Sequence, residues 1–214
     1  MSRPRIEDKA VSPEKMFSIA EWIHKVPHFD RLCLEALVNQ LDEIGNWPDD
    51  ITLFVNVRSE TLVETTEWTS IMHSLENILP LERIVWELSE LSPPHMQNEV
   101  TTSITENFLN LNWALDDWGS GWHPLKIYQR VKPRWIKVDR SWVQSAMTDE
   151  PTLKLLLVLV KWAREHGALT VAEGVETEAE ARRVTEWGFY AGQGYFWGQP
   201  KPWNLTKEQQ ETLV

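Results

Sequence analysis

Asp116 and Asp117 stand side by side after an apolar run, Trp113-Ala114-Leu115, and Gly119-Ser120-Gly121 follows them. Two adjacent carboxylates at a strand end repel each other, and burial penalises both. Cations relieve that repulsion. Two hard metal ions that share one carboxylate and divide the other would neutralise the pair. A capping turn also uses Asp at such a place, so the pair has to be weighed with other polar groups along the chain. Asn56, Glu87, Lys137, Asp139, Glu173, Glu176 and Gln193 each lie at or near the downstream end of a strand-like apolar run. Acids and amides are oxygen ligands for hard divalent ions. A lysine beside such ions can hold a water or a developing negative charge.

Groups so far apart in sequence need a scaffold that gathers them. From Ile51 onward the chain alternates strand and helix patterns at βαβ spacing. Strands are expected over Ile51–Val57, Arg83–Leu88, Asn112–Leu115, Trp135–Val138, Leu169–Ala172 and Phe189–Trp197. Helices are expected over Glu64–Leu79, Pro94–Leu109, Pro124–Arg130, Arg140–Met147, Pro151–His166 and Thr177–Trp187. Before this region, Ser12-Pro13-Glu14 reads as a cap and first turn leading into Met16–Ile23. A second helical pattern covers Phe29–Ile44, residues 1–11 read as polar and irregular, and the tail Asn204–Val214 reads as a helix. Within Pro151–His166, Leu153, Leu156, Leu157, Val160 and Trp162 mark the face expected to be buried, and Gly167 ends the helix.

Such an alternation builds a parallel sheet, either closed as a barrel or open and doubly wound. No Gly-rich phosphate loop follows the first strand, which favours the barrel. In a parallel barrel the downstream strand ends converge on one face, where such enzymes keep their chemistry. Each polar residue taken singly fits a turn, a cap or a snorkelling side chain. Five strands in succession with polar endings point instead to one oxygen-ligand metal site.

Composition narrows the function. The 214 residues suffice for one large domain, and 42% hydrophobic and 25% charged residues suit a soluble globular protein. The net charge of −11 argues against a broad nucleic-acid or anionic-membrane surface. Cys33 is the single cysteine, so an internal disulfide or thiolate metal cluster is excluded, and its apolar neighbours predict burial. Most of the 13 Trp are expected in the core or lining a pocket. The longest apolar run, Leu155–Val160, cannot span a bilayer, and no secretory leader opens the chain, so a cytoplasmic location is expected.

The motifs resemble those of EAL domains, the cyclic di-GMP phosphodiesterase family of bacteria. Asp116-Asp117-Trp-Gly-Ser-Gly resembles D-D-F-G-T-G, and Lys137-Val-Asp139-Arg140-Ser-Trp resembles K-I-D-R-S-F. Val171-Ala-Glu173-Gly-Val-Glu176-Thr matches V-A-E-G-V-E-T, and Gly192-Gln193-Gly194-Tyr195-Phe196 matches G-Q-G-Y-F. Glu87 in Trp-Glu-Leu-Ser-Glu resembles the first Glu of L-E-L-T-E, and Asn56 the Asn of N-L-S. The resemblance runs from about Arg3 to Pro202. It implies a TIM-like α/β barrel of EAL type that cleaves one phosphodiester bond of cyclic di-GMP, giving linear pGpG.

It also implies two Mg²⁺ or Mn²⁺ ions that activate a water for in-line attack. By position, Asn56, Glu87 and Asp116 would hold the first ion, and Asp116, Asp117 and Glu173 the second. Lys137 would contact the attacking water or a ligand oxygen, Glu173 is the general-base candidate, and Gln193 would orient the water or Lys137. Arg3, Asp139, Gln193 and Pro200 fall at positions that would contact the nucleotide. Glu176 would anchor the loop carrying Trp118, Gly119, Ser120 and Gly121, which in the family lies at a homodimer interface. Trp118 and Ser120 replace Phe and Thr there and keep the aromatic and hydroxyl character.

One departure bears on activity. The Glu-Ala-Leu motif that names the family, with an Arg two residues later, is not in its expected place. Glu35-Ala36-Leu37 lies inside a helical pattern and is a decoy. Aligning Ser12-Pro13 with the family's first helix puts Met1-Ser2-Arg3 on the Leu, spacer and Arg, and the metal-binding Glu about two residues before Met1. The expectation is an N-terminally truncated barrel lacking its first strands, with turnover impaired by the lost ligand. Unpaired edges would favour strand exchange between two copies. Three origins stay open: a Glu lying upstream, a shortened chain that binds nucleotide or protein without cleaving, or a strand-exchanged dimer. A sugar-phosphate barrel enzyme fits the motifs less well.

Overall fold

The computed structural model describes residues 5–6, 9–10, 12–44, 48–49, 51–89, 96–119 and 124–200. A short antiparallel hairpin pairs β1 (Arg5–Ile6) with β2 (Lys9–Ala10). Residues 1–11, expected to be irregular, thus contain a local ladder, although it stays apart from the main sheet. Helices α1 (Pro13–Trp22) and α2 (Val26–Ile44) follow. Ser12 Oγ accepts from the Lys15 amide at 3.3 Å, so the cap lies where Ser-Pro-Glu placed it. Glu35, in the decoy tripeptide, sits mid-helix and pairs with Arg31 at 2.7 Å.

Six strands then alternate with helices: β3 (Leu53–Val57), α3 (Ser59–Val63), α4 (Thr65–Glu76), β4 (Ile84–Ser89), α5 (Gln97–Asn107), β5 (Asn112–Trp118), α6 (Pro124–Val131), β6 (Trp135–Val138), α7 (Arg140–Ala146), α8 (Glu150–Glu165), β7 (Leu169–Ala172), α9 (Glu178–Glu186) and β8 (Ala191–Gly192). The sheet order is β3-β4-β5-β6-β7-β8, and every pairing is parallel. Sequential strands lie next to each other, so each crossover helix packs on the same face and the sheet must roll up.

The curl is measurable. Three strand spacings would separate β3 from β6 by about 14 Å in a flat sheet. The Phe54 and Trp135 rings nevertheless meet edge-on at 5.1 Å across the interior. Tyr190, just before β8, adds a third ring at 5.5 Å from Trp135. On the outer surface, Trp86 of β4 packs against Trp68 of α4 at 4.6 Å. Leu62, Leu75, Leu88, Leu115, Ile136 and Leu156 complete the fully buried layer between strands and helices. Among the described residues, β3 and β8 each keep one unpaired edge.

Several boundaries differ from those expected. The third parallel strand runs on to Trp118 instead of stopping at Leu115, because Asp116 still pairs with Ser89 of β4 and Trp118, after a shift of register, with Val138 of β6. The last strand is only Ala191–Gly192; Phe196 and Trp197 instead turn back after Gly194. On α8, Leu156, Val160 and Ala163 are buried, whereas Leu157 is exposed, one position off the inward stripe. Cys33 is half-buried, not buried. Trp68, Trp86, Trp113 and Trp118 lie in the core, while Trp22 and Trp197 are exposed. The expected tail helix lies outside the described residues. Among the described residues no helix is long and apolar enough to cross a membrane.

Candidate metal centre

Strand alternation decides which side chains enter the interior. Phe54 and Trp135 face inward, so Asn56 and Lys137, two residues further along the same strands, face inward too. Register extends the set: Asn56 is opposite Glu87, Glu87 opposite Ala114, and Lys137 opposite Val171. Asp116 and Glu173 lie two residues beyond Ala114 and Val171. The interior therefore carries an aromatic layer upstream and an ionic layer at the downstream rim.

At the centre of that rim, Lys137 Nζ reaches Glu87 at 2.7 Å, Asp116 at 2.7 Å and Glu173 at 2.8 Å. Each ammonium hydrogen has its own carboxylate, and the lysine side chain is only 5% exposed. Burial disfavours its charge, but the carboxylates of Glu87, Asp116 and Glu173 outweigh burial and raise its pKa. One positive charge against three carboxylates leaves negative charge in excess. Burial first, and the neighbouring acids second, push Glu87 up and Glu173 up to about 7, with Lys137 opposing both.

Asp117 joins the cluster through its backbone. In a regular strand it would point away from Asp116. Its φ of 56° places it in the left-handed region, and the ladder to β6 shifts register between Leu115 and Trp118. Asp tolerates that conformation better than most residues. As a result Asp116, Asp117 and Glu173 each offer a carboxylate oxygen within 4.8 Å of the others. An all-oxygen, anionic donor set of this kind fits Mg²⁺ or Mn²⁺ and not a soft ion. Backbone strain of this kind clusters at functional sites, which makes the Asp117 turn a candidate.

The other expected residues fall in several settings. Asn56 occupies an interior position on the free-edge strand β3, with its side chain exposed. Gln193 follows β8; its amide donates to Ala172 O at 2.8 Å and its carbonyl accepts from Val175 N, leaving the side chain exposed at the rim. Asp139 caps α7 by accepting from the Ser141 amide at 2.8 Å. Glu176 pairs with Arg140 at 2.6 Å, while the hydrogen bond from a side chain to the Gly119 carbonyl comes from Trp142 Nε1, at 3.0 Å. Trp118 is buried, and Pro200 is exposed beyond the last strand. Arg3, Ser120 and Gly121 lie outside the described residues.

Two supporting residues were not anticipated. Trp142 is one. Asp30 on α2 is the other: it is buried and accepts from the Arg58 amide at 3.0 Å and Thr61 Oγ1 at 2.7 Å. It pins the turn immediately after Asn56, and burial raises its pKa. A lone Asp in an amphipathic helix carries no local signal for a partner 28 residues away.

The EAL domain family model matches residues 2–200. The cyclic di-GMP phosphodiesterase PdeL of Escherichia coli is 31% identical over 201 residues, covering 91% of this chain and 54% of PdeL. The probable cyclic di-GMP phosphodiesterase PdeN of the same organism is 31% identical over 195 residues, covering 90% of this chain and 38% of PdeN. The chain thus spans about half or less of these relatives. The EAL domain of Xanthomonas citri FimX, solved with c-di-GMP, superimposes with a TM-score of 0.82 at 20% identity, covering 94% of this chain and 80% of that one.

Proposed function

The chain belongs to the EAL-domain family, and from that premise we propose that it is one EAL domain that hydrolyses cyclic di-GMP to linear pGpG. The observation that carries this reading is the rim itself: Glu87, Asp116 and Glu173 around Lys137, with Asp117 turned in beside them. Similarity to PdeL and PdeN, both named for this activity, supports it. In this reading Asn56, Glu87 and Asp116 hold one Mg²⁺ or Mn²⁺, and Asp116, Asp117 and Glu173 hold a second. Such ions, when bound, supply an activated water and neutralise charge at the phosphate.

The chain's own residues do the rest. Glu173 takes the proton of the attacking water on a carboxylate oxygen. Lys137 contacts the attacking water or a ligand oxygen. Gln193, at the rim, orients the water or Lys137. Asp139 and Pro200, with Arg3, contact the nucleotide. The loop from Trp118 to Gly121, with Glu176 supporting it, meets a second copy in a homodimer.

A second reading is favoured by one feature. The only Glu-Ala-Leu of the chain lies mid-helix in α2, with Glu35 engaged by Arg31. In this reading the domain binds cyclic di-GMP and signals without cleaving it. Incubation with cyclic di-GMP and Mg²⁺ or Mn²⁺ separates the two. We expect slow pGpG release from this chain, and faster release from a version extended so that a Glu stands about two residues before Met1. No pGpG from the extended version, with nucleotide binding retained in calorimetry, leaves only the binding role.

A further inference from the structure

We infer that Trp142 is a positioning residue for the cation site: it fixes the Asp116–Asp117 turn relative to Glu173 by holding the carbonyl of Gly119. The inference rests on the reading of Asp116, Asp117 and Glu173 as cation ligands.

The turn to be held is intrinsically soft. Asp117 has φ 56° and Gly119 has φ 106°, two left-handed steps within three residues. Neither step is favoured by an ordinary strand, so something outside the turn must select them. Two adjacent carbonyls supply the grip. Trp118 O accepts from the Asp139 amide at 3.3 Å, and Gly119 O accepts from Trp142 Nε1 at 3.0 Å. Both donors belong to the cap and first turn of α7. The indole also lies flat against Gly119, where a Cβ would stand 2.5 Å from Nε1. Glycine is required there by the backbone angle and by the ring.

The helix that reaches over is itself anchored at the other half of the site. Asp139 caps α7 through the Ser141 amide, at 2.8 Å. Gln144 Nε2 donates to Gly174 O at 3.0 Å, directly after Glu173. The Arg140 side chain covers Gly174 and pairs with Glu176 at 2.6 Å. Helix α7 is therefore a crossbar. One arm, Trp142, holds the turn that carries two carboxylates, and the other, Gln144, holds the turn that carries the third. Their separation sets whether three oxygens can meet on one ion.

The residue type makes the point testable. The motif K-I-D-R-S-F, which Lys137–Trp142 resembles, ends in Phe. A phenyl ring can pack on Gly119 but has no N–H to donate. Trp142→Phe therefore removes the bond and keeps most of the packing. Calorimetric titration with Mn²⁺ should show affinity lowered on the order of tenfold, as expected for loss of a ligand-orienting partner, while the melting temperature without metal stays within a few degrees. Gln144→Leu should lower Mn²⁺ affinity in the same direction through the other arm, and it carries the test should Trp142→Phe fail to fold. Unchanged Mn²⁺ affinity in a folded Trp142→Phe chain overturns the inference, even where its melting temperature falls, because the residue is then only structural. A parent chain that binds no Mn²⁺ overturns the cation-site reading and this inference together, so the two failures are distinguishable.

Discussion

Two layers inside the same barrel differ by a step of two residues. Phe54 and Trp135 form the upstream layer with Tyr190; Asn56 and Lys137, next inward on the same strands, belong to the downstream layer with Glu87, Asp116 and Glu173. The upstream layer needs no partner beyond dispersion and excluded water. The downstream layer gathers three carboxylates and an ammonium out of water, an arrangement that stabilises little even when it is fully paired. One alternation rule builds both, so the fold does not require the charges. What the pair teaches is that stability does not account for the rim, whereas closure accounts for the aromatic layer.

The comparison breaks most sharply at Lys137. Replacing it with Met leaves buried carboxylates with no counter-ion, and such a loss costs roughly 3 kcal/mol at neutral pH, or on the order of 10 °C in Tm for a chain of this size. Divalent ions should restore much of the loss, because they offer the same carboxylates a new cation. A Lys137→Met chain that melts with the parent, and is no more responsive to Mn²⁺, would show that the ion-paired rim carries no such burden. The matching change upstream is Trp135→Ala. It removes a half-buried ring with two aromatic neighbours and should cost about 2 kcal/mol. Thermal melts should show that loss to be equal with and without Mn²⁺. A Mn²⁺-dependent loss would mean that the layers are not separable.

How much of this was open to reading from the chain depends on range. The inward parity of Asn56, Glu87, Asp116, Lys137 and Glu173 follows from strand–helix alternation, and the motifs around them name the family. What neutralises the acids did not follow. Two adjacent carboxylates suggested cations, but the cation described is Lys137, 21 residues from Asp116. The backbone of Asp117 was equally hidden, because Asp at a strand end fits regular extension as well as a left-handed turn; the shift is imposed by pairing with β6. Trp142 acts through one long-range hydrogen bond and Asp30 through two, and no periodicity announces those. Leu157 shows the reverse limit: an apolar residue on α8 expected on the buried face and exposed.

The smallest effect, and the finest test of the two layers, is the dependence of stability on pH. Glu173 has a folded pKa of about 7 against an ordinary 4.5, chiefly because burial disfavours its charge. The folded chain therefore binds more protons than the unfolded chain between those values. The contribution of Glu173 is fully present below about 4.5 and is lost as pH rises through about 7. Melting of the metal-free chain should accordingly fall across that window. Glu87 and Asp30 are raised in the same direction, also by burial, so Glu173→Gln should flatten the slope without abolishing it. Trp135→Ala changes no titrating group and should shift the whole curve down with its slope intact. A Glu173→Gln chain as steep as the parent would place the excess charge of the rim on another acid, and Glu87→Gln would then be the variant that flattens it.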